Sequence, residues 1–157
     1  MAENIIDGDQ AVLFKWTDTL ATGIEIVDNQ HKELINLTNE LFRACMRGGD
    51  VLDIVFKETM GKVVEYVRFH FGFEQGMLQR VKFPNYTEHK GEHDKFIKTV
   101  LEETKNYSEG RSFVPNKFVR YLKDWIVSHI AYTDKIYAAY VHDQMKKGLI
   151  SPKDITG

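Results

Sequence analysis

A single cysteine, Cys45, excludes an internal disulfide, a Cys-x-x-Cys redox pair and any thiolate-rich zinc or iron–sulfur site, so whatever chemistry the chain performs uses other ligands. An excess of charge of one sign is missing too. With 21 Lys and Arg against 23 Asp and Glu the formal net charge is -2, too little positive field to gather phosphates, and nucleic acid is not an expected partner. No apolar run approaches the roughly 20 residues of a helical membrane span, which speaks against insertion into a bilayer. Met1 to Asp9 are polar and acidic, with Ile5 and Ile6 adjacent, and lack the basic start and apolar core of a secretory signal; the expected location is the cytoplasm. Internal repeats and low-complexity tracts are absent as well. What is present is the balance of a folded, water-soluble domain, 43% hydrophobic and 28% charged, and 157 residues suffice for one domain with a real core.

Pro and Gly cut the chain into four long segments at Gly48-Gly49, Phe83-Pro84-Asn85, Gly110 to Pro115, and Gly148. Each interval is helix-length. From about Asp28 to Arg47, Leu34, Leu37, Leu41 and Cys45 recur at steps of three and four, and Gly48 suits a C-cap. A second, long helix is expected from Asp50 or Asp53 to about Lys82, although Gly61, Gly72 and Gly76 each cost roughly 1 kcal/mol relative to Ala in a helix interior. A third opens at Asn85 or Thr87 and fades at Tyr107 to Gly110, and a fourth starts at Pro115, a good first-turn residue, and ends at Lys146-Lys147-Gly148. No segment alternates with period two. The expectation is an all-α single domain: an irregular N-terminal arm over 1–22 that docks through Trp16, an antiparallel up-down four-helix bundle over 23–147, and a polar tail over 148–157.

Six histidines occur, and five of them, His31, His70, His89, His93 and His129, sit on the apolar-periodic parts of the four expected helices. His142, beyond them, reads as a surface residue. A lone core histidine is ordinarily just a hydrogen-bonded core residue, but five pointing into one interior are a different matter. His89 and His93 are four apart, as are His70 and Glu74, so each pair projects from one helix face. Burying several imidazoles and a carboxylate unpartnered costs several kcal/mol, and a metal supplies the missing partner. Imidazole with carboxylate suits iron, zinc, manganese or copper, and five histidines exceed one tetrahedral ion, which favours two. A second carboxylate is expected from Asp134, five residues after His129. In an ideal α-helix that step turns a side chain about 140°. Asp134 therefore reaches the same centre only through a local loosening such as a π-bulge, or if two metals spaced across the bundle meet the residues from different sides.

Rival metal patterns fit less well. His89-Lys90-Gly91-Glu92-His93 matches the inverted zinc-protease string His-x-x-Glu-His, but leaves three interior histidines unexplained. The ferritin-like di-iron pattern needs Glu-x-x-His, and none of the histidines has a glutamate three positions before it. A closed structural zinc site uses four ligands, fewer than the chain provides.

Four stretches together resemble the hemerythrin family, in its single-domain bacterial form. Trp16 followed by Gly23 through His31 to Leu34 is similar to the family's opening signature. His70-Phe71-Gly72-Phe73-Glu74 resembles its His-Phe-x-x-Glu, Phe83-Pro84 leading to His89 through His93 resembles its His-x-x-x-His, and His129 to Asp134 its His-x-x-x-x-Asp. Gln75 departs from the second acid common after the bridging glutamate. The resemblance implies two non-haem iron ions joined by an oxo or hydroxo bridge, one held by His89, His93 and His129, the other by His31 and His70, with Glu74 and Asp134 bridging. It further implies reversible O2 binding at an open position on the second iron, for storage, transport, delivery or scavenging. Such a protein is not an enzyme and requires a dry pocket, for which Leu34, Trp125, Ile126 and Ile130 are the wall candidates within a turn of His31 and His129. A di-iron redox enzyme acting on peroxide or nitric oxide, and an oxygen or iron sensor, are the alternatives. The residues identify no protein partner for delivery or electron supply.

Overall fold

The structure is a computed structural model and describes residues 10–111 and 113–157, apart from the side chain at 51; the acidic stretch Met1 to Asp9 lies outside the described residues. Helix α1 runs Glu25–Arg47, α2 Gly49–Arg80, α3 Tyr86–Ser108, α4 Pro115–Ser128 and α5 Asp134–Lys146, with a short α6 at Pro152–Thr156. Gly48, at φ 65°, joins α1 to α2 by itself, a left-handed link that glycine adopts without steric cost. The long α2 is unbroken through Gly61, Gly72 and Gly76, because its buried face outweighs three weak helix formers. Pro115 occupies the first turn of α4, as expected. Among the described residues, the longest loops between bundle helices are five or six residues, and the rods pack as the expected antiparallel bundle, α1 against α2 and α4, and α2 against α3.

Between α4 and α5 the chain does not stop. His129–Thr133 form one π turn, with right-handed helical dihedrals on both flanks, so Pro115 to Lys146 is one continuous rod with a single widened turn.

The core lies in two apolar clusters along the bundle. One gathers Leu34, Leu41, Phe56, Val67, Phe71, Phe96, Leu122, Ile126 and Ile130. The other gathers Ile24, Val27, Met77, Leu78, Phe83, Tyr137 and Val141. Between them lies a belt of buried polar residues: His31, His70, Glu74, His89, His93, His129 and Asp134. The belt occupies the level at which all four rods face one another.

The described part of the arm and the C-terminal tail are both fastened to this bundle. Asn39 on α1 accepts from the Leu13 amide through Oδ1 at 2.9 Å and donates to the Phe14 carbonyl through Nδ2 at 2.9 Å, and Trp16 packs on the first cluster beneath the Lys32 ammonium. Trp16 is thus one of several docking points of the arm. Asp28 receives the Thr22 amide and hydroxyl, each at 2.7 Å, and the Gly23 amide at 3.1 Å, which turns the arm into α1. The tail also carries structure. Ser151 and Asp154 form a capping box with Pro152 at the first helical position, Ile155 is buried, and Arg80 donates to the carbonyls of Asp154 and Ile155 at 2.9 Å each.

Candidate metal centre

His31 comes from α1, His70 and Glu74 from α2, His89 and His93 from α3, His129 from the first position of the π turn and Asp134 from the first of α5. All seven side chains are buried. The π turn answers the difficulty over Asp134. A five-residue turn brings residues five apart onto one face, so His129 Nε2 and Asp134 Oδ1 stand 3.0 Å apart rather than about 140° out of line.

The two carboxylates divide the rings into a pair and a trio. Glu74 Oε1 lies 3.7 Å from His31 Nε2 and 3.7 Å from His70 Nε2, while its Oε2 lies 3.4 Å from His89 Nε2 and 3.3 Å from His93 Nε2. Asp134 repeats the division: Oδ2 is 3.1 Å from His31 Nε2, and Oδ1 is 3.0 Å from His129 Nε2 and 3.7 Å from His89 Nε2. His93 and His129 also bring their Nε2 atoms within 3.0 Å of each other. Two groups of donor atoms result, His31, His70 and Glu74, and Glu74, His89, His93 and His129, each close enough together to hold an ion.

Unsatisfied atoms at the centre fit cations. Both ring nitrogens of His31 and both oxygens of Asp134 are buried without a hydrogen-bond partner. Leaving such atoms unpaired is costly, and a metal between imidazole nitrogen and carboxylate oxygen removes the cost.

Without metal the electrostatics are strained in opposite directions. Burial pulls the His31 imidazolium down, but contacts with Asp134 and Glu74 prevail and raise it to about 9. Burial holds His70 down at about 4, against the pull of Glu74. Burial likewise depresses His93 despite Glu74, whereas in His129 Asp134 outweighs burial and lifts it. Burial works against charge on Glu74, yet His70 and the other facing rings hold its carboxyl well below the usual range. For Asp134, burial and Glu74 push upward and His129 and His31 prevail downward. The rings cannot all be charged together; two divalent ions would take the place of these competing protons.

Several participants have no signature in the sequence. Gln30 Oε1 accepts from His70 Nδ1 at 2.8 Å, Gln75 contacts His93 Nδ1 at 3.3 Å, and Glu92 Oε2 accepts from His129 Nδ1 at 3.0 Å. Gln75, the departure noted above, therefore stands behind a ring of the trio. The Tyr137 hydroxyl donates to Glu74 Oε1, and burial followed by the carboxylates Glu74 and Asp134 keeps the phenol protonated far above its ordinary range. Phe71 lies flat on His93 with ring centroids 3.6 Å apart. The expected wall residues Leu34, Ile126 and Ile130 are buried in the cluster next to the belt. Trp125 stacks on His129 at 4.3 Å and on Phe96 at 3.9 Å, which places it over the trio.

Comparison with known proteins agrees with the geometry. Residues 22–141 match the model of the Hemerythrin HHE cation binding domain. A bacteriohemerythrin of Stenotrophomonas maltophilia is 31% identical over 137 residues, covering 87% of this chain and 84% of that one. One of Methylococcus capsulatus is 28% identical over 130 residues, covering 80% and 94%. A crystal structure of wild-type hemerythrin superposes with a TM-score of 0.75 at 28% identity, covering 82% of this chain and 97% of that chain. With its family model matched from the start of the bundle nearly to the end of α5, the chain belongs to the hemerythrin family.

Proposed function

We propose that this protein binds O2 reversibly at a non-haem di-iron centre, for storage, transport, delivery or scavenging. The observation that carries the reading is the way each carboxylate divides its oxygens: Glu74 turns one to His31 and His70 and the other to His89 and His93, and Asp134 one to His31 and the other to His89 and His129. With metal bound, Glu74 and Asp134 would serve both ions, His89, His93 and His129 would hold one of them, and His31 and His70 would hold the other with one imidazole fewer. Iron bound there supplies reversible electron exchange with O2.

The chain's own residues do the rest. Leu34, Ile126, Ile130 and Phe71 exclude water from the belt, which protects a bound oxidant from hydrolytic loss. Trp125 covers His129. Tyr137 orients Glu74 and keeps its own proton, so the base that faces the pair is held still rather than titrated. On this reading the chain is a binder rather than an enzyme, and its relatives carry the name bacteriohemerythrin. We take the cytoplasm as its location. Among the described residues no helix is long and apolar enough to cross a membrane. The reading takes the chain as one domain, arm, bundle and tail together.

The test is metal content with the visible spectrum of anaerobic ferrous protein, then in air, then after purging. Two irons per chain and a band that forms in air and vanishes on purging are expected. A band that decays irreversibly, with sustained reductant consumption, would transfer the assignment to the redox enzyme, and zinc in place of iron would remove both.

A further inference from the structure

Glu92 is half exposed, yet one of its oxygens reaches into the site. Oε2 accepts from His129 Nδ1 at 3.0 Å and from the Thr133 hydroxyl at 3.1 Å. Those two residues are the first and last of the π turn. A single carboxylate oxygen on α3 therefore ties together the ends of the turn that brings Asp134 into line. Because His129 turns Nε2 toward Asp134 and the cluster, its other nitrogen must carry the proton to be donated, and Glu92 fixes that tautomer.

The partners behind the other rings are different. His70 is backed by the neutral Gln30, His93 by the neutral Gln75, and His31 Nδ1 has no partner. Of the ring partners seen here, the one that bears a charge stands behind the trio. An anion hydrogen-bonded to a ligating imidazole strengthens it as a donor and favours the more highly charged state of the ion it holds.

The geometry points to Glu92 as a positioning residue that staples the π turn and places its negative charge on the three-histidine side of the metal pair alone, so that the trio's ion is the harder of the two to reduce. The inference rests on the two-metal reading above. It names a residue that touches neither metal nor O2 and that acts through His129.

Two variants and two measurements test it. In cobalt(II)-loaded protein, where no O2 chemistry intervenes, a held Nδ1 proton gives a far-shifted exchangeable proton resonance. The signal of His129 is expected in the native protein and in Glu92→Gln, which keeps an oxygen at the same reach, and lost to exchange with water in Glu92→Ala. In iron-loaded protein poised against a redox dye, Glu92→Gln should raise the ratio of reduced to oxidised metal about tenfold, ~59 mV for one electron. Thr133→Val, which leaves the charge in place, should stay within about twofold on the same scale. A His129 signal that survives Glu92→Ala, or a Glu92→Gln ratio within twofold of the native protein, would overturn the assignment. Cobalt spectra as expected in a protein that fails the reversible-O2 test would defeat the O2 reading and leave Glu92's role standing.

Discussion

His31 and His70 on one side of the cluster, and His89 and His129 on the other, are made of the same donor atoms in different surroundings. The groove above the pair, about 760 Å³ and lined by Ile26, Tyr66, Phe69 and Met145, stops at Gln30. On the trio's side, one groove of about 560 Å³ between Trp125, Lys117 and Arg120 reaches His129, and another of about 600 Å³ beside Ile136 and Gly91 reaches His89. The two rings on the side expected to take up O2 line none of these grooves, whereas on the other side His129 and His89 each line one. This asymmetry teaches that protection is placed where a ligand must enter and leave unchanged, while the side that only holds its ion tolerates a nearby surface.

The largest break in that comparison is removal of what the two sides share. Asp134→Ala deletes one oxygen from each side, and metal content should fall from two ions per chain to fewer than about one, read by elemental analysis after dialysis, since a lost bridging ligand weakens both ions together. His31→Ala should do half as much. It strips the pair and leaves the trio, so about one ion per chain remains, and the reversible band disappears while His129's surroundings are unchanged.

A gentler probe uses the metal-free protein. The His31 imidazolium is raised to about 9 in the folded state, so the stability it contributes is complete below its ordinary value near 6.5 and is lost as pH rises through 9. His70 is lowered to about 4, so it stays neutral in the fold while the unfolded chain takes up a proton, and stability is lost as pH falls from about 6.5 to 4. The urea midpoint should peak near pH 6.5, with His31→Ala flattening the alkaline limb and His70→Ala the acid one. A midpoint that keeps both limbs in both variants would show that the pair is not their source.

The smallest effect separates the ligand-bearing stretch of α2 from its far end. Gly61 and Gly72 are both exposed, and a Cβ built at either meets nothing within 4 Å. Ala at each should add about 1 kcal/mol, measured by urea unfolding. The same gain at both sites, with an unchanged O2 band in Gly72→Ala, would mark Gly72 as an ordinary helix position beside a ligand.

Much of this was legible in the sequence because helical period is local. The four rods and the seven belt residues follow from breakers and from histidines on apolar stripes, and the step from His129 to Asp134 itself announced that the helix there is loosened or that the metals lie apart. The partners Gln30, Glu92 and Tyr137 were not legible, and Gln75 showed only as a departure from the family's pattern, not as the neighbour of His93. Glutamine, glutamate and tyrosine occur on every helix surface, and what selects these is the rotation of one helix against another, which packing sets. The fold of the tail could have been found: Ser151-Pro152-Lys153-Asp154 is a helix start written out in four residues.

The π turn also has a consequence for the phase of the helix that contains it. Its hydrogen bond spans five residues where an α turn's spans four, so His129, Asp134, Tyr137 and Val141 stay on one stripe although the chain is a residue longer than that stripe needs. Loss of one residue between 129 and 134 would turn the π turn into an α turn and leave everything after it facing the same way. Elsewhere in the four rods a one-residue deletion swings all that follows by about 100° and carries its buried face into water. At this one place, in the middle of its site, the bundle can change length without changing register.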